Sequence, residues 1–348
     1  MEKTRVAING FGRIGRTFFR MAYDNPHFEV VAINDLGDVH NLAYLLSYDT
    51  AYGRAPYAVS VVDNQLVVEG KTIRTVSERE PLKLPWKEER IDIVVESTGI
   101  FTEYAKAKVH LEAGAKRVVI SAPVKDAPDA EGVRGATVLM GMNEEALKTC
   151  DISSNASCTT NATNPLVAIL NEAIGIEKAI LNTVHAYTAS QSLVDGPSKK
   201  DVREGRAAAE NIVPSSTGAA IATTLVHTGL KGKFDGISIR VPVPVGSIVD
   251  VTFIATRDTT VEEVNKALRD ASMTERWNDI FSITDEPLVS SDIIGARCAA
   301  IADLAFTRVV GGNLVKVLAW YDNETSYTST LIKHVEAVAE ILSVSKKA

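Results

Sequence analysis

At 348 residues the chain has room for about two domains of roughly 150 residues each. Its hydrophobic content of 45% and charged content of 23% are those of an ordinary globular protein, and a formal net charge of −7 argues against a general nucleic-acid binder, which needs a basic face, while leaving room for local basic pockets. Cys150, Cys158 and Cys298 form neither a disulfide framework nor a zinc spacing, so no metal site is expected and reduced thiols fit a cytoplasmic setting; Met-Glu-Lys-Thr-Arg runs straight into a strand pattern, and no signal peptide, transit peptide or membrane span is expected.

In chain order, the apolar run Arg5-Val-Ala-Ile-Asn9 predicts a strand that breaks at Gly10-Phe-Gly-Arg-Ile-Gly15, with a helix from Arg16 to about Tyr23. A second strand follows at Glu29–Asp35 and a helical stretch near Val39–Leu46. Residues 50–90 read as short strands and turns, clearest at Val59–Val62 and Leu66–Val68. Ile91–Glu96 is another strand, Glu103–Ala113 a helix, and Arg117–Ser121 a further strand. Continuous apolar strands alternating with helices indicate a parallel sheet covered on both faces.

The pattern changes after Cys158. One helix is followed by long, alternating runs at Ala179–His185, Gly236–Val243, Ile248–Thr256 and Leu314–Tyr321, which predict an antiparallel or mixed sheet with helices on one face. Residues 189–209, with Gly196-Pro-Ser-Lys-Lys200, are too long and irregular for an ordinary connection and read as a functional or interface loop. Tyr327–Leu342 reads as a closing helix. The domain break falls near residue 155 with no flexible linker: residues 1–156, completed by 324–348, form one domain and 157–323 the other.

Two constellations carry chemistry. Gly10-x-Gly12-x-x-Gly15 lies between a predicted strand and a predicted helix, the setting in which glycines permit a tight turn, close approach of a pyrophosphate and close helix packing. Asp35 ends the second strand, placed to accept from a ribose 2′-hydroxyl; a carboxylate there repels a 2′-phosphate and favours NAD over NADP. A turn-capping aspartate is the plainer reading of that residue. The second constellation is Ser154-Asn-Ala-Ser-Cys-Thr-Thr-Asn161, followed by His185 in His-Ala-Tyr-Thr. The residues from Thr159 look like a helix start, and a thiol at a helix N-terminus feels the positive end of the dipole, which lowers its pKa. A nearby imidazole would lower it further and could move protons. Taken alone, Cys158 reads first as a buried core cysteine ahead of a helix, since free cysteines are usually structural.

Asn9-Gly-Phe-Gly-Arg-Ile-Gly-Arg16, Ser97-Thr-Gly99, Ser121-Ala-Pro123, the octapeptide 154–161, Pro214-Ser-Ser-Thr-Gly-Ala-Ala220 and Trp320-Tyr-Asp-Asn-Glu324 together closely resemble phosphorylating glyceraldehyde-3-phosphate dehydrogenases, in that family's order from residue 5 to about 342. The resemblance implies a Rossmann-type parallel-sheet domain plus an α+β catalytic domain with a mixed or antiparallel sheet. It implies that Cys158 is the nucleophile and His185 the base. Thr188 and Arg240 would hold the substrate's phosphate, and Ser157, Thr159, Thr217 and Gly218 would line the site of the attacking phosphate. For the cofactor NAD it implies Gly10, Gly12 and Gly15, the backbone of Arg13 and Ile14, Asp35, Thr98, Gly99, Ser121 and, at the nicotinamide carboxamide, Asn323. It also implies a homotetramer acting on a triose phosphate and inorganic phosphate. Capping and turn chemistry is the plainer reading of the serine and threonine cluster.

Several positions depart from the family's usual pattern. Ala162 replaces a frequent second cysteine, and Ile221 stands where a lysine commonly follows Gly-Ala-Ala. Val241-Pro-Val-Pro-Val-Gly246 replaces Pro-Thr-Pro-Asn-Val, and Ser326 replaces a glycine. Two other readings compete: erythrose-4-phosphate oxidation, and a non-catalytic NAD-binding or RNA-associated protein. The intact pair Cys158 and His185 and the acidic charge argue against the second.

Overall fold

The structure, a computed structural model, describes residues 3–198 and 201–345; Lys199 and Lys200 of the predicted loop, and residues 1–2 and 346–348, lie outside the described residues. The chain divides into two units, one running to Ala156 and resuming at Thr328, the other Ser157–Tyr327.

The first unit is built on a nine-stranded sheet. Thr4–Asn9 pairs in parallel with Phe28–Asn34 on one side and with Ile93–Glu96 on the other. Ile93–Glu96 continues to Arg117–Ile120, Ile152–Ser154 and Gly135–Thr137, all parallel. Phe28–Asn34 continues to Lys71–Val76, beyond which Gln65–Val68 and Val59–Val62 close that side as an antiparallel meander. Ile93–Glu96 is buried along its whole length, which explains its unbroken apolar run; fully burying one such side chain stabilises by about 1.5–3 kcal/mol. The strand order reverses at Thr4–Asn9, whose neighbours run outward in both directions, and ligands of such sheets bind beyond the carboxyl ends at that reversal.

Local boundaries differ from expectation in several places. The first helix spans Arg13–Ala22, so the last turn of the glycine segment is already helical. The helix expected over 103–113 is hydrogen-bonded as two short pieces, Tyr104–Ala107 and Val109–Glu112, although Lys108 between them keeps helical dihedrals of −51° and −31°. The closing helix is Thr325–Ser345.

The second unit carries a seven-stranded mixed sheet in the order Val213–Ser216, Phe234–Val241, Ile176–Ala186, Ser247–Ala255, Leu314–Tyr321, Ala300–Val310, Phe281–Thr284. Ile176–Ala186 runs parallel to Phe234–Val241 and antiparallel to Ser247–Ala255. Ser247–Ala255 alternates strictly between buried and half-buried side chains, as a strand covered more fully on one face should. The helix Cys158–Ala173 is buried from Thr159 to Leu170 and packs with the helix Val261–Ser272. Among the described residues, no helix is long and apolar enough to cross a membrane.

Candidate active site

In the first unit the three glycines of the turn do different work. Gly10 has φ +96°, and a Cβ there would stand 2.7 Å from Thr98 N. A Cβ on Gly15 would stand 2.2 Å from the Gly10 carbonyl oxygen. Both positions therefore require glycine for backbone packing. Gly12 is the helix N-cap, and a Cβ there would meet nothing within 4 Å: the space before the first helical turn is open, and glycine keeps it open. Helix amides facing such a space suit a pyrophosphate. The guanidinium of Arg13 is drawn aside to the Asp49 carboxylate at 3.0 Å and 3.3 Å, so only its backbone remains near that space, beside half-buried Ile14. Burial alone would raise the Asp49 carboxyl, and the Arg13 charge and hydrogen bonds more than offset it, leaving it lowered.

Asp35 is half-buried, and its two oxygens accept from the Phe11 and Gly37 amides at 2.7 and 2.8 Å. Those bonds hold the carboxylate at the strand end and leave it acceptor capacity for a diol. Thr98 donates from its amide to Glu96 at 2.8 Å, Gly99 turns with φ +71°, and the Ser121 amide donates to the Glu96 carbonyl at 2.9 Å. The residues present therefore fit a dinucleotide.

In the second unit the catalytic candidates converge. Ser157 caps the helix Cys158–Ala173 by accepting from Thr160 N at 3.0 Å, which places Cys158 in the first helical position. Ala156, just before the cap, holds φ +53°, a conformation that a non-glycine residue rarely adopts and that concentrates at functional turns. Cys158 Sγ lies 3.3 Å from His185 Nε2. On the other edge of the ring, Nδ1 lies 2.7 Å from the Ala186 carbonyl oxygen and 2.6 Å from Arg240 Nη1. Two groups thus compete for Nδ1. A base at Nε2 requires the tautomer with the proton on Nδ1, donated to the Ala186 oxygen, to which Arg240 also donates at 3.3 Å.

The electrostatics differ from the sequence-based expectation of a depressed thiol pKa. Burial pushes the Cys158 thiol up, while the Arg240 charge, the Thr159 hydroxyl and amide and its own amide pull it down; burial prevails. The helix start is present, and burial opposes it. Burial, and then the Arg240 charge, push His185 down to about 3 against the opposing Ala186 carbonyl bond, so the imidazole is neutral.

The remaining candidates are placed as follows. Arg240 Nε is buried without a partner among the described residues, a donor suited to an anion. Thr188 Oγ1 pairs with Ser190 Oγ at 3.0 Å, and Thr217 Oγ1 accepts from Ala219 N at 3.2 Å, next to Gly218 at the N-cap of Ala219–Thr223. Thr159 Oγ1 is turned to the Tyr321 hydroxyl at 3.0 Å. Asn323 accepts at Oδ1 from Gly246 N and Ser247 Oγ, each at 3.1 Å, which fixes its amide nitrogen as the outward donor.

Sequence reasoning missed Tyr321. Its ring meets His185 edge to face, with centroids 5.9 Å apart, and its hydroxyl joins Thr159 to Thr183. The motif Trp320–Glu324 contained it, but only the asparagine carried a role. Ser247 was missed too; it accepts from the Ala186 amide and donates to Asn323, so one hydroxyl links the base strand to the carboxamide. Two departures find local explanations. Ser326 Oγ accepts from Asp322 N at 3.0 Å and donates to the Ala296 carbonyl at 2.9 Å, while Asp322 accepts from the amides of Glu324 and Thr325: the serine completes a cap at the start of the last helix. Ala162 is fully buried, where a larger side chain would have to displace its neighbours. Ile221 is exposed.

Residues 157–323 match the family model for the C-terminal domain of glyceraldehyde 3-phosphate dehydrogenase, and residues 4–104 match the model for its NAD binding domain. The chain is 47% identical over 338 residues to glyceraldehyde-3-phosphate dehydrogenase 1 of Bacillus subtilis, covering 97% of this chain and 98% of the relative. It is 48% identical to the glyceraldehyde-3-phosphate dehydrogenase of Geobacillus stearothermophilus over 94% of this chain and 96% of the relative. With that of Thermotoga maritima it shares 48% identity over 97% of this chain and 99% of the relative. A glycine turn open to a pyrophosphate, a thiol set against a neutral imidazole, and relatives aligned over nearly their full length lead to one conclusion: the chain belongs to the glyceraldehyde 3-phosphate dehydrogenase family.

Proposed function

We propose that the protein oxidises D-glyceraldehyde 3-phosphate with NAD and passes the acyl group to inorganic phosphate, giving 1,3-bisphosphoglycerate. The observation that carries this reading is the 3.3 Å separation of Cys158 Sγ and His185 Nε2, with Arg240 against the same imidazole. The Cys158 thiol adds to the aldehyde carbon while His185 relays its proton to the carbonyl oxygen, which gives a hemithioacetal and leaves the imidazole neutral again. The Cys158 amide, at a helix start, faces the developing oxyanion. His185 next takes the hemithioacetal hydroxyl proton as the carbon is oxidised by two electrons to a thioester. NAD, when bound, supplies the hydride acceptor for that oxidation. A phosphate oxygen then attacks the thioester carbonyl and expels the Cys158 thiolate.

In this reading Arg240 and Thr188 hold the substrate's phosphate, and Ser157, Thr159, Thr217 and Gly218 hold the attacking one. Gly10, Gly12, Gly15, the backbone of Arg13 and Ile14, Asp35, Thr98, Gly99, Ser121 and Asn323 hold the cofactor. Hydroxyls, amides and one guanidinium are the donors a dianion needs. The test is NADH formation with glyceraldehyde 3-phosphate and with erythrose 4-phosphate, each with and without phosphate. Phosphate-dependent turnover of the triose phosphate supports the reading, and phosphate-independent turnover or a preference for the tetrose overturns it.

The protein is also read as a homotetramer in the cytoplasm. Three free thiols support the location. Exposed Leu193, Val194 and Val202 in the segment 189–209, with Ile180 and Ile237 on the sheet of the same unit, support association, since apolar surface of this kind marks interfaces. Light scattering on dilute protein tests the assembly; an active monomer would refute it.

A further inference from the structure

Beneath the glycine turn lies a carboxylate with no role in the chemistry. Glu96 ends the strand Ile93–Glu96, and its side chain and that of His110 are 1% and 0% exposed. Its Oε2 accepts from Asn9 Nδ2 at 2.5 Å and lies 3.0 Å from His110 Nε2. Its Oε1 accepts from the Thr98 amide and from the Thr98 hydroxyl. Trp86 Nε1 donates to His110 Nδ1 at 3.2 Å, so the His110 proton sits on Nε2 and points at Glu96. A buried carboxylate carrying four donors is fully satisfied, whereas leaving any of those donors unmet would be costly.

These bonds extend across the carboxyl ends of three adjacent strands. Asn34 Nδ2 donates to Asn9 Oδ1 at 2.7 Å and to the Glu78 carbonyl at 3.0 Å, and Asn34 Oδ1 accepts from Glu78 N at 2.8 Å. The Gly10 amide donates to the Asn34 carbonyl at 2.8 Å, and Ser97 Oγ donates to the Gly10 carbonyl at 2.7 Å. Asn9 precedes the glycine turn, Asn34 precedes Asp35, and Thr98 belongs to the third cofactor segment. The three segments that would touch the cofactor are each one residue or none away from a side chain in this belt.

We propose that Glu96 is a positioning residue for the cofactor: its buried charge clamps the ends of the three strands in one arrangement, so that the Gly10 turn, Asp35 and Thr98 present themselves together. The charge is needed as well as the shape. In Glu96→Gln one oxygen becomes an NH2 group facing existing donors. Asn9 cannot turn its amide without losing Asn34, and His110 cannot change tautomer without opposing Trp86.

The inference rests on the cofactor reading of those segments, and Asp35→Ala run in parallel tests that reading by itself. The experiment measures the NAD dissociation constant by calorimetry on the full protein, KM for NAD and kcat at saturating NAD, and the alkylation rate of Cys158 without cofactor. For Glu96→Gln the dissociation constant and KM rise on the order of tenfold to a hundredfold, while kcat and alkylation change less than about twofold. Val118→Ala, a cavity change in the same unit away from the belt, lowers the melting temperature and leaves NAD affinity unchanged. If Glu96→Gln fails to fold, Glu96→Asp, which keeps the charge but falls a methylene short, carries the same expectation. Wild-type NAD affinity in the folded Glu96 variant, or an equal loss of affinity in Val118→Ala, overturns the proposal. An unchanged affinity in Asp35→Ala instead overturns the cofactor reading beneath it.

Discussion

Arg240 stands directly across the parallel ladder from His185, and its Nη1 lies 2.6 Å from the ring Nδ1. A cation on one edge of the imidazole and a thiol on the other give the arrangement its sense. Burial and the Arg240 charge keep the ring unprotonated, and the same charge favours a thiolate over a thiol. One guanidinium thereby tunes both partners of the pair.

Removing that charge separates binding from tuning. Arg240→Gln is expected to reduce kcat/KM for the phosphorylated aldehyde by about tenfold to a hundredfold, the cost of a lost charged hydrogen bond. With unphosphorylated glyceraldehyde, which has no phosphate to lose, the acid limb of the pH profile should move up. Burial would still hold His185 down, and without the neighbouring cation it would rise from about 3. An acid limb that stays in place would show that the guanidinium does not act on His185.

The nucleophile and the base should fail differently. Cys158→Ser removes the only group able to form the thioester and should lower turnover by about four orders of magnitude or more, with NAD binding retained. His185→Asn keeps the nucleophile but removes the proton acceptor, and should slow turnover by about a hundredfold to ten-thousandfold. It should also shift the pH profile of Cys158 alkylation upward. An unshifted alkylation profile would mean that the pair, 3.3 Å apart, does not interact.

The proposed role of Asp35 makes cofactor choice testable. Its carboxylate is held by the Phe11 and Gly37 amides and cannot swing away from a 2′-phosphate without abandoning them. Efficiency with NAD should exceed that with NADP by about a hundredfold, measured as kcat/KM for each at saturating aldehyde. Parity between the two would place the ribose elsewhere.

Acid should unfold the protein through its buried histidines. His334 is fully buried, with Nε2 2.7 Å from Ser153 Oγ, and burial pushes it down to about 3, as it does His185. A folded value below the unfolded 6.5 means that the unfolded chain binds the extra proton. The stability each neutral ring contributes is therefore complete above pH 6.5 and is lost as pH falls toward 3, at about 1.4 kcal/mol per pH unit per histidine. His334→Gln, which can keep the serine bond but cannot titrate, should show a flatter fall. Urea midpoints at pH 7, 5.5 and 4.5 for both proteins measure it; parallel slopes would remove His334 from the account.

What the residues determined by themselves is local. The turn Gly10–Gly15 was legible because no other residue fits φ +96° at Gly10 or the close approach at Gly15, and the helix after Ser157 was legible because its cap is a bond between residues three apart. The parallel strands were legible where burial on both faces leaves an unbroken apolar run, as at Ile93–Glu96. The helix Val261–Ser272 was not read from the sequence, although its start is local: Thr260 accepts from Glu263 N. The strand Ala300–Val310 was not legible, because a register irregularity between Asp303 and Arg308 breaks its alternation.

Tertiary structure alone decided what surrounds the thiol. Arg240 is 55 residues from His185 and Tyr321 is 162 from Thr159, and no spacing rule joins them; a parallel register and a shared sheet face do. It also sets burial against the helix start at Cys158, because a helix terminus is written in the sequence while the packing around the thiol is not. The Glu96 belt has the same origin: Asn9, Asn34, Glu96 and His110 are unremarkable one by one, and become a network only when three strand ends are brought side by side.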